Sequence, residues 1–96
     1  MKKINILGYE YNLDFSKTYE QSIGNVGFCS FKDKTISVAN DIESDLFNST
    51  LIHEIIEALN YHLELDLKHN QIMGIEVGIH QVLNDAGVDL NPLKEK

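Results

Sequence analysis

One segment of the chain places histidine and glutamate at a spacing that allows metal chemistry. It reads His53-Glu54-Ile55-Ile56-Glu57. On an α-helix, residues four positions apart lie one turn above each other, so His53 and Glu57 share a face. An imidazole nitrogen and a carboxylate oxygen are both ligands that zinc accepts. Glu54 points about 100° away from His53, which leaves its carboxyl available for proton transfer beside such a site.

A zinc site needs a third protein ligand, and two downstream residues are candidates. His69 is the first, because it falls at the expected turn between two helices, where the chain can fold back. Glu76 is the second, and it follows Glu57 by nineteen positions (76 − 57 = 19). His69, Glu76 and His80 form one polar stripe on the expected second helix. If the two helices pack antiparallel, that stripe can meet the stripe of His53.

Two helices are expected to hold these residues. The first should run from about residue 43 to 65, with Asp41 or Ser44 as its N-terminal cap. Apolar residues cover much of its circumference, so it should lie centrally rather than on the surface. The second should run from about residue 69 to 86 and end at Gly87.

The first 40 residues predict β-strands. Residues 3–15 alternate around Gly8, which indicates a hairpin or a bent strand. Residues 27–31 and 35–39 are β-favouring runs on either side of a short polar connection, which predicts a second hairpin. The expected fold class is therefore α+β, with a small antiparallel sheet packed on two helices.

Length and composition are those of one globular domain. We treat residues 1–96 as a single unit with a strand region (1–40), a two-helix region (41–87) and a loose tail (88–96). The hydrophobic fraction of 43% and charged fraction of 24% argue against disorder.

Charge and cysteine content exclude several function classes. Eight Lys+Arg against fifteen Asp+Glu give a net charge of −7, and none of the basic residues is arginine. General nucleic-acid binding needs clustered basic side chains, so it is not expected. No apolar run approaches the ~18 residues needed to span a membrane. The N-terminus lacks a signal-peptide pattern, and Cys29 has no cysteine to pair with. We expect a cytoplasmic protein of a bacterial host.

Taken in order, these segments resemble a known group of proteins. After the hairpin of residues 27–38 comes the run Thr50 to Asn60, TLIHEIIEALN. It is similar to a Thr-Leu-x-His-Glu-x-x-(His/Glu)-Ala-x-Asn motif, and Leu67 to Ile72 is similar to a Leu-x-His-x-x-Ile element. Over roughly residues 25–85 the chain resembles the minimal zincin-like metallopeptidases. These include SprT-like and ImmA/IrrE-like proteins and small proteins of phages and mobile elements.

The resemblance implies a zinc-dependent peptidase (a hydrolase). By this likeness His53, Glu57 and His69 would hold one Zn²⁺ per chain, and Glu54 would be the catalytic base. The ion would polarise the peptide carbonyl and activate a water, while Glu54 carries the proton to the leaving amine. A hairpin strand would offer an edge to an extended peptide. The departure is Glu57, because HExxH enzymes have histidine there; the HExxE variant leaves a His₂Glu set.

Other interpretations of the same residues stay open. Glu and His at this spacing are also typical of a solvated helix face, on which Glu54 pairs with a lysine and His69 only begins a helix. The fold could serve a non-catalytic protein-binding module, with a structural metal or none, or a metal-free dimer built on helix packing. A His₂Glu set also suits iron or manganese. His62 is expected to be a structural or surface residue, His80 a surface residue, and Cys29 an unreactive buried thiol. The sequence does not choose between monomer and homodimer.

Overall fold

The computed structural model describes residues 2–94. Four strands come first and two helices follow, so the predicted α+β class is confirmed. The elements are β1 (Lys2–Ile6), β2 (Tyr9–Asp14), β3 (Gly27–Ser30), β4 (Thr35–Val38), α1 (Ser44–Leu63), α2 (His69–Asp85) and a short 3-10 helix (Asn91–Lys94).

The predicted second hairpin forms and residues 2–14 form another, but the sheet that joins them is mixed. The strand order is β1-β2-β4-β3, with β1–β2 and β3–β4 antiparallel. β2 and β4 run parallel, with Leu13 opposite Ile36. The expectation of a purely antiparallel sheet was therefore incomplete. The long connection between the hairpins carries the chain back before β3 starts, which allows the more buried β4 to take the central position and leaves β3 at an edge.

The connection between β1 and β2 settles how residues 3–15 are arranged. Leu7 and Gly8 have φ angles of 55° and 85°. Two successive positive φ angles are the mark of a tight type I′ turn, which matches the twist of the strands it joins. The segment is therefore a hairpin rather than a bent strand.

Helix α1 lies between the two apolar clusters of the protein, as its sequence predicts. One cluster fills the space between the sheet and α1, and includes Tyr11, Ile36, Phe47 and Leu51. The second lies between the two helices, where Ile52 and Ile56 of α1 contact Ile72 of α2. Because apolar contacts cover α1 on two sides, only a narrow strip of its surface is left for polar side chains.

The ends of the helices correct one prediction and confirm another. The N-cap residue of α1 is Glu43, without a side-chain hydrogen bond, and neither Asp41 nor Ser44 caps the helix. Asp41 instead accepts a hydrogen bond from the backbone N–H of Tyr19 at 2.8 Å, which ties the long connection to the start of α1. Gly87 follows the end of α2 with a φ of 76°, the left-handed conformation that ends helices.

The expectation of a loose tail is wrong for residues 88–94. The buried Asn48 of α1 binds this segment through three hydrogen bonds, donating to Asp89 and accepting from the backbone of Leu90 and the side chain of Asn91. Leu90 and Leu93 also pack against the core. A buried polar residue needs such partners, and here they come from the tail. Residues 95–96 lie outside the described residues.

The Asn48 contacts lead to a stability prediction. Asn48→Ala should lower the free energy of unfolding by about 1–3 kcal/mol, because it leaves buried donors and acceptors without partners. It should also speed amide hydrogen exchange across residues 88–94. Urea denaturation and exchange mass spectrometry measure the two effects. Asn70→Ala, at an exposed position, is the control and should change stability by less than about 0.5 kcal/mol. Equal effects of the two substitutions would contradict the assigned role of Asn48.

Candidate metal and catalytic site

The imidazole of His53 is held between two carboxylates. Its Nε2 lies 3.2 Å from Oε2 of Glu57, one turn later on α1. Its Nδ1 lies 2.8 Å from Oε1 of Glu76, which projects from α2. The His53 and Glu76 side chains are only 17% and 13% exposed. The antiparallel packing of the helices thus brings the two predicted polar stripes together at His53.

Glu54 occupies a different side of α1, beneath the edge strand β3. It is 8% exposed, so the interpretation of Glu54 as a solvated residue paired with lysine is wrong. A Cβ added to Gly27 would stand 3.1 Å from Oε2 of Glu54 and 2.5 Å from Cγ2 of Thr50. Glycine at the start of β3 is therefore what allows the strand to pass this close to α1.

Burial and neighbouring charges set the protonation of these groups. Burial raises the pKa of Glu54 to about 7, the positive charge of His53 opposes that rise, and the carboxylates of Glu57 and Glu76 add to it. For His53, burial alone would lower the pKa. The hydrogen bond that His53 donates to Glu76 and the charges of the three glutamates outweigh it, so that the pKa of His53 is raised.

His69 is the first residue of α2 and lies next to His53. The centroids of the two rings are 5.9 Å apart, with the ring planes inclined at 62°. The loop before His69 is held by Asn60, whose side-chain oxygen accepts a hydrogen bond from the backbone N–H of Leu67. Asn60 thus positions the helix that carries His69 and Glu76.

The donors around His53 are of the kinds that zinc binds, although they do not form a complete cage. Within residues 2–94, no three His, Cys, Asp or Glu side chains are arranged to hold a metal ion together. Two of them are at a suitable spacing. The 3.2 Å between Nε2 of His53 and Oε2 of Glu57 is close to the ~3.3 Å that separates neighbouring ligands of a tetrahedral zinc ion. A third donor has to come from a rotation of the exposed His69 side chain. In donor type, His53, Glu57 and His69 suit a zinc ion.

Glu76 has a contact suited to orienting a ligand. It occupies Nδ1 of His53, and a metal-binding histidine generally gives its second ring nitrogen to a carboxylate or carbonyl. Glu57 lies beside Nε2 of His53, whereas Glu76 lies beside Nδ1 on the other side of the ring. An ion shared by His53 and Glu57 would therefore not contact Glu76. Of the two sequence candidates for the third ligand, this leaves His69.

The remaining histidines and the cysteine lie outside this group. His62 is structural, since its Nε2 is 2.6 Å from the hydroxyl of Tyr11 and its ring stacks on Tyr9. His80 is only partly exposed. Its Nε2 is buried and has no hydrogen-bond partner among the described residues. Burial and the nearby charges of Glu54 and Glu57 raise the pKa of Cys29 to about 12, which makes it a poor nucleophile.

Sequence reasoning missed the aromatic contact at the far end of β3. Phe31, just after the strand, stacks on Tyr61 with ring centroids 4.2 Å apart and planes at 2°. Tyr61 lies one helical turn beyond Glu57 on the same face of α1. The stacked pair of Phe31 and Tyr61 therefore marks one end of the row of side chains that begins at His53. The only signal in the sequence was the four-residue spacing of His53, Glu57 and Tyr61.

Comparisons with known proteins add no relative: no family model matches the chain, and neither curated proteins nor solved structures gave a match. Among residues 2–94, no helix is both long enough and apolar enough to cross a membrane.

The close approach of β3 to α1 can be tested with two alanine substitutions. Gly27→Ala should destabilise the protein by about 1–3 kcal/mol, because its Cβ collides with Thr50 and Glu54. Gly74→Ala is the matched control on α2, where a Cβ meets nothing within 4 Å. It should stabilise the protein by about 1 kcal/mol through helix propensity. Urea denaturation measures both, and effects of the same sign would contradict the close contact.

Glu54 also predicts a pH dependence of the metal-free protein. It keeps its proton up to about pH 7 when folded but has a reference pKa of 4.5. The folded state binds the extra proton between these values, so the free energy of unfolding should fall as pH rises through this range. Because the pKa of His53 is also raised, from its reference value of 6.5, its loss of a proton above that pH should likewise lower the free energy of unfolding.

Denaturation in a chelating buffer at pH 5 and pH 7.5 measures this change. Glu54→Gln should reduce the difference between the two pH values, because glutamine does not titrate. A wild-type protein that is equally stable at both would show that Glu54 is not held in a dry environment.

Proposed function

We propose that this protein is a zinc-dependent metallopeptidase that cleaves peptide bonds in an extended polypeptide. The observation that carries the proposal is the position of His53. Its ring lies between Glu57 and Glu76, and the next residue, Glu54, is a buried glutamate beside an edge strand.

Each side chain near His53 has a distinct proposed role. His53 through Nε2, Glu57 through Oε2 and His69 would hold the ion, and Glu76 would keep the His53 ring oriented through Nδ1. When bound, zinc supplies a Lewis acid that polarises the substrate carbonyl and increases the acidity of a bound water. The same ligands also accept iron or manganese, so metal identity is part of the test.

Glu54 is the proposed general base and then general acid. Its carboxylate accepts a proton from the attacking water as the new C–O bond forms at the peptide carbonyl. It then donates that proton to the amide nitrogen, so the C–N bond breaks and a neutral amine leaves. The burial of Glu54 under β3 supports this role, since a partly desolvated carboxyl binds and releases protons near neutral pH.

The proposed substrate is a peptide or protein segment in an extended conformation. β3 is at an edge of the sheet and packs on α1 beside the carboxylates. An extended peptide can add to such an edge through main-chain hydrogen bonds, which bring a peptide carbonyl alongside α1. The proposed location is the cytoplasm of a bacterial host, where an unpaired cysteine stays reduced.

The first test is metal content, measured by plasma mass spectrometry on protein purified without a histidine tag. Wild type should contain about one zinc per chain. His53→Ala and Glu57→Ala should lose it, whereas Glu54→Gln should retain it. His62→Ala is the matched control, because its ring bonds Tyr11 and lies outside the group around His53.

The second test is hydrolysis of an unstructured protein such as casein. Zinc-loaded wild type should cleave it, and Glu54→Gln should reduce the rate by at least about 100-fold while keeping its metal, because proton transfer is lost. Cleavage that is unchanged in Glu54→Gln would contradict the assigned base.

A second candidate function is a non-catalytic protein-binding module of the same fold, with a structural metal or none. It is favoured by the absence, among residues 2–94, of three side chains already arranged around a metal position. This alternative predicts no hydrolysis by metal-loaded wild type and a partner that binds Glu54→Gln as well as wild type.

A further inference from the structure

Helix α2 has more exposed apolar surface than a helix with one covered face requires. Of its 17 residues only Ile72 is buried, and its only charged residues are Glu76 and Asp85. Five large apolar side chains are between 41% and 66% exposed, namely Met73, Ile75, Val77, Ile79 and Val82. Single exposed apolar residues are ordinary, but a contiguous group of them marks an interaction surface.

Three of these side chains and one glycine form a regular stripe. Ile75, Gly78, Ile79 and Val82 have the i, i+3, i+4, i+7 spacing of an apolar helix face. Relative to Ile72, which packs on α1, this α2 stripe spans about 20° (Ile79) to about 120° (Gly78) around the helix, with its centre at about 70°. The apolar surface of α2 is therefore wider than the part around Ile72 that α1 covers.

We propose that the α2 stripe packs against the α2 stripe of a second copy of this chain, with the two helices antiparallel about a two-fold axis near residues 78 and 79. Apart from the adjacent backbone of α2 itself, nothing in residues 2–94 lies within 4 Å of the position a Cβ on Gly78 would take. Gly78 therefore leaves a hole beside the protruding Ile79. The two-fold axis places each Ile79 over the partner's Gly78, and each Ile75 against the partner's Val82, as knobs packed into holes.

Charge favours a second copy in the antiparallel arrangement. The stripe itself carries no charge, so two chains of net charge −7 can approach through it with little local repulsion. Lys68 precedes the stripe and Asp85 follows it. Antiparallel packing brings the Lys68 end of each helix near the Asp85 end of the other, and it also opposes the two helix dipoles. Parallel packing would join ends of like charge.

The area available indicates a weak dimer. The exposed parts of Ile75, Ile79 and Val82 amount to roughly 250–300 Å², and neighbouring side chains and glycine backbone extend the contact to roughly 500 Å² per subunit. A stable interface buries about 800 Å² per partner. We therefore expect association in the micromolar range, independent of any metal and of the proposed peptidase activity.

Analytical ultracentrifugation of the full chain over roughly 1 μM to 1 mM tests this proposal. Wild type should change reversibly from monomer to dimer. Ile79→Lys should stay monomeric, because it places a charge at the centre of the contact. Gly78→Ala should raise the dissociation constant at least tenfold by filling the hole. In the monomer the added methyl meets nothing, so the thermal midpoint measured at a dilution where wild type is monomeric should not fall.

Val77→Lys is the matched control, because Val77 is 52% exposed but lies outside the stripe. It removes a similar apolar side chain and should leave the dissociation constant within about twofold. Wild type that stays monomeric throughout would overturn the proposal. So would a Val77→Lys variant as strongly impaired as Ile79→Lys, or a Gly78→Ala variant that dimerises as well as wild type. Circular dichroism confirms that each variant is folded.

Discussion

The burial of α1 on two sides is the constraint on which the rest of this structure depends. The sheet covers one side through Phe47 and Leu51, and α2 covers another through Ile52 and Ile56. A domain of this size has room for only a small core, and one central helix serves both apolar clusters. His53 and Glu57 therefore lie on a narrow polar strip of α1 with limited access to water, and they must satisfy one another, a neighbouring side chain or a ligand.

Negative charge is concentrated around His53. Glu54, Glu57 and Glu76 act electrostatically on a single imidazole, and the charges of Glu57 and Glu76 add to the raised pKa of Glu54. Like charges in a partly dry environment are stabilised by protons or by a cation. The raised pKa values of Glu54 and His53 are the response of the metal-free protein. A divalent cation bound there would also neutralise the negative charge of the glutamates. The burial of α1 is therefore the physical reason why a metal ion would be stabilised beside His53.

The surface of the protein reflects the same shortage of core. α2 packs part of its apolar surface on α1 and leaves the rest exposed, and β3 stays at the edge of the sheet. The tail of residues 88–94 is bound by Asn48 and contributes Leu90 and Leu93 to the apolar clusters. These features show a chain that uses most of its apolar residues and still exposes several of them. A second copy on α2 would add apolar contact that a chain of 96 residues cannot supply internally.

The sequence by itself determined the local elements and the donor set. Turn residues and alternation predicted the hairpin of residues 27–39 and left residues 3–15 as a hairpin or a bent strand. Helical periodicity predicted α1 and α2, and the spacing of His53 and Glu57 placed two donors together. All of these depend on neighbours within a few residues. Tertiary structure alone decided the parallel pairing of β2 with β4, the contact of Glu76 with His53, the burial of Glu54 under Gly27 and the binding of the tail by Asn48. Each of these contacts joins residues that are distant in the chain. Such contacts depend on how much apolar area the whole fold buries and on which buried polar groups need partners. No local sequence pattern encodes either quantity.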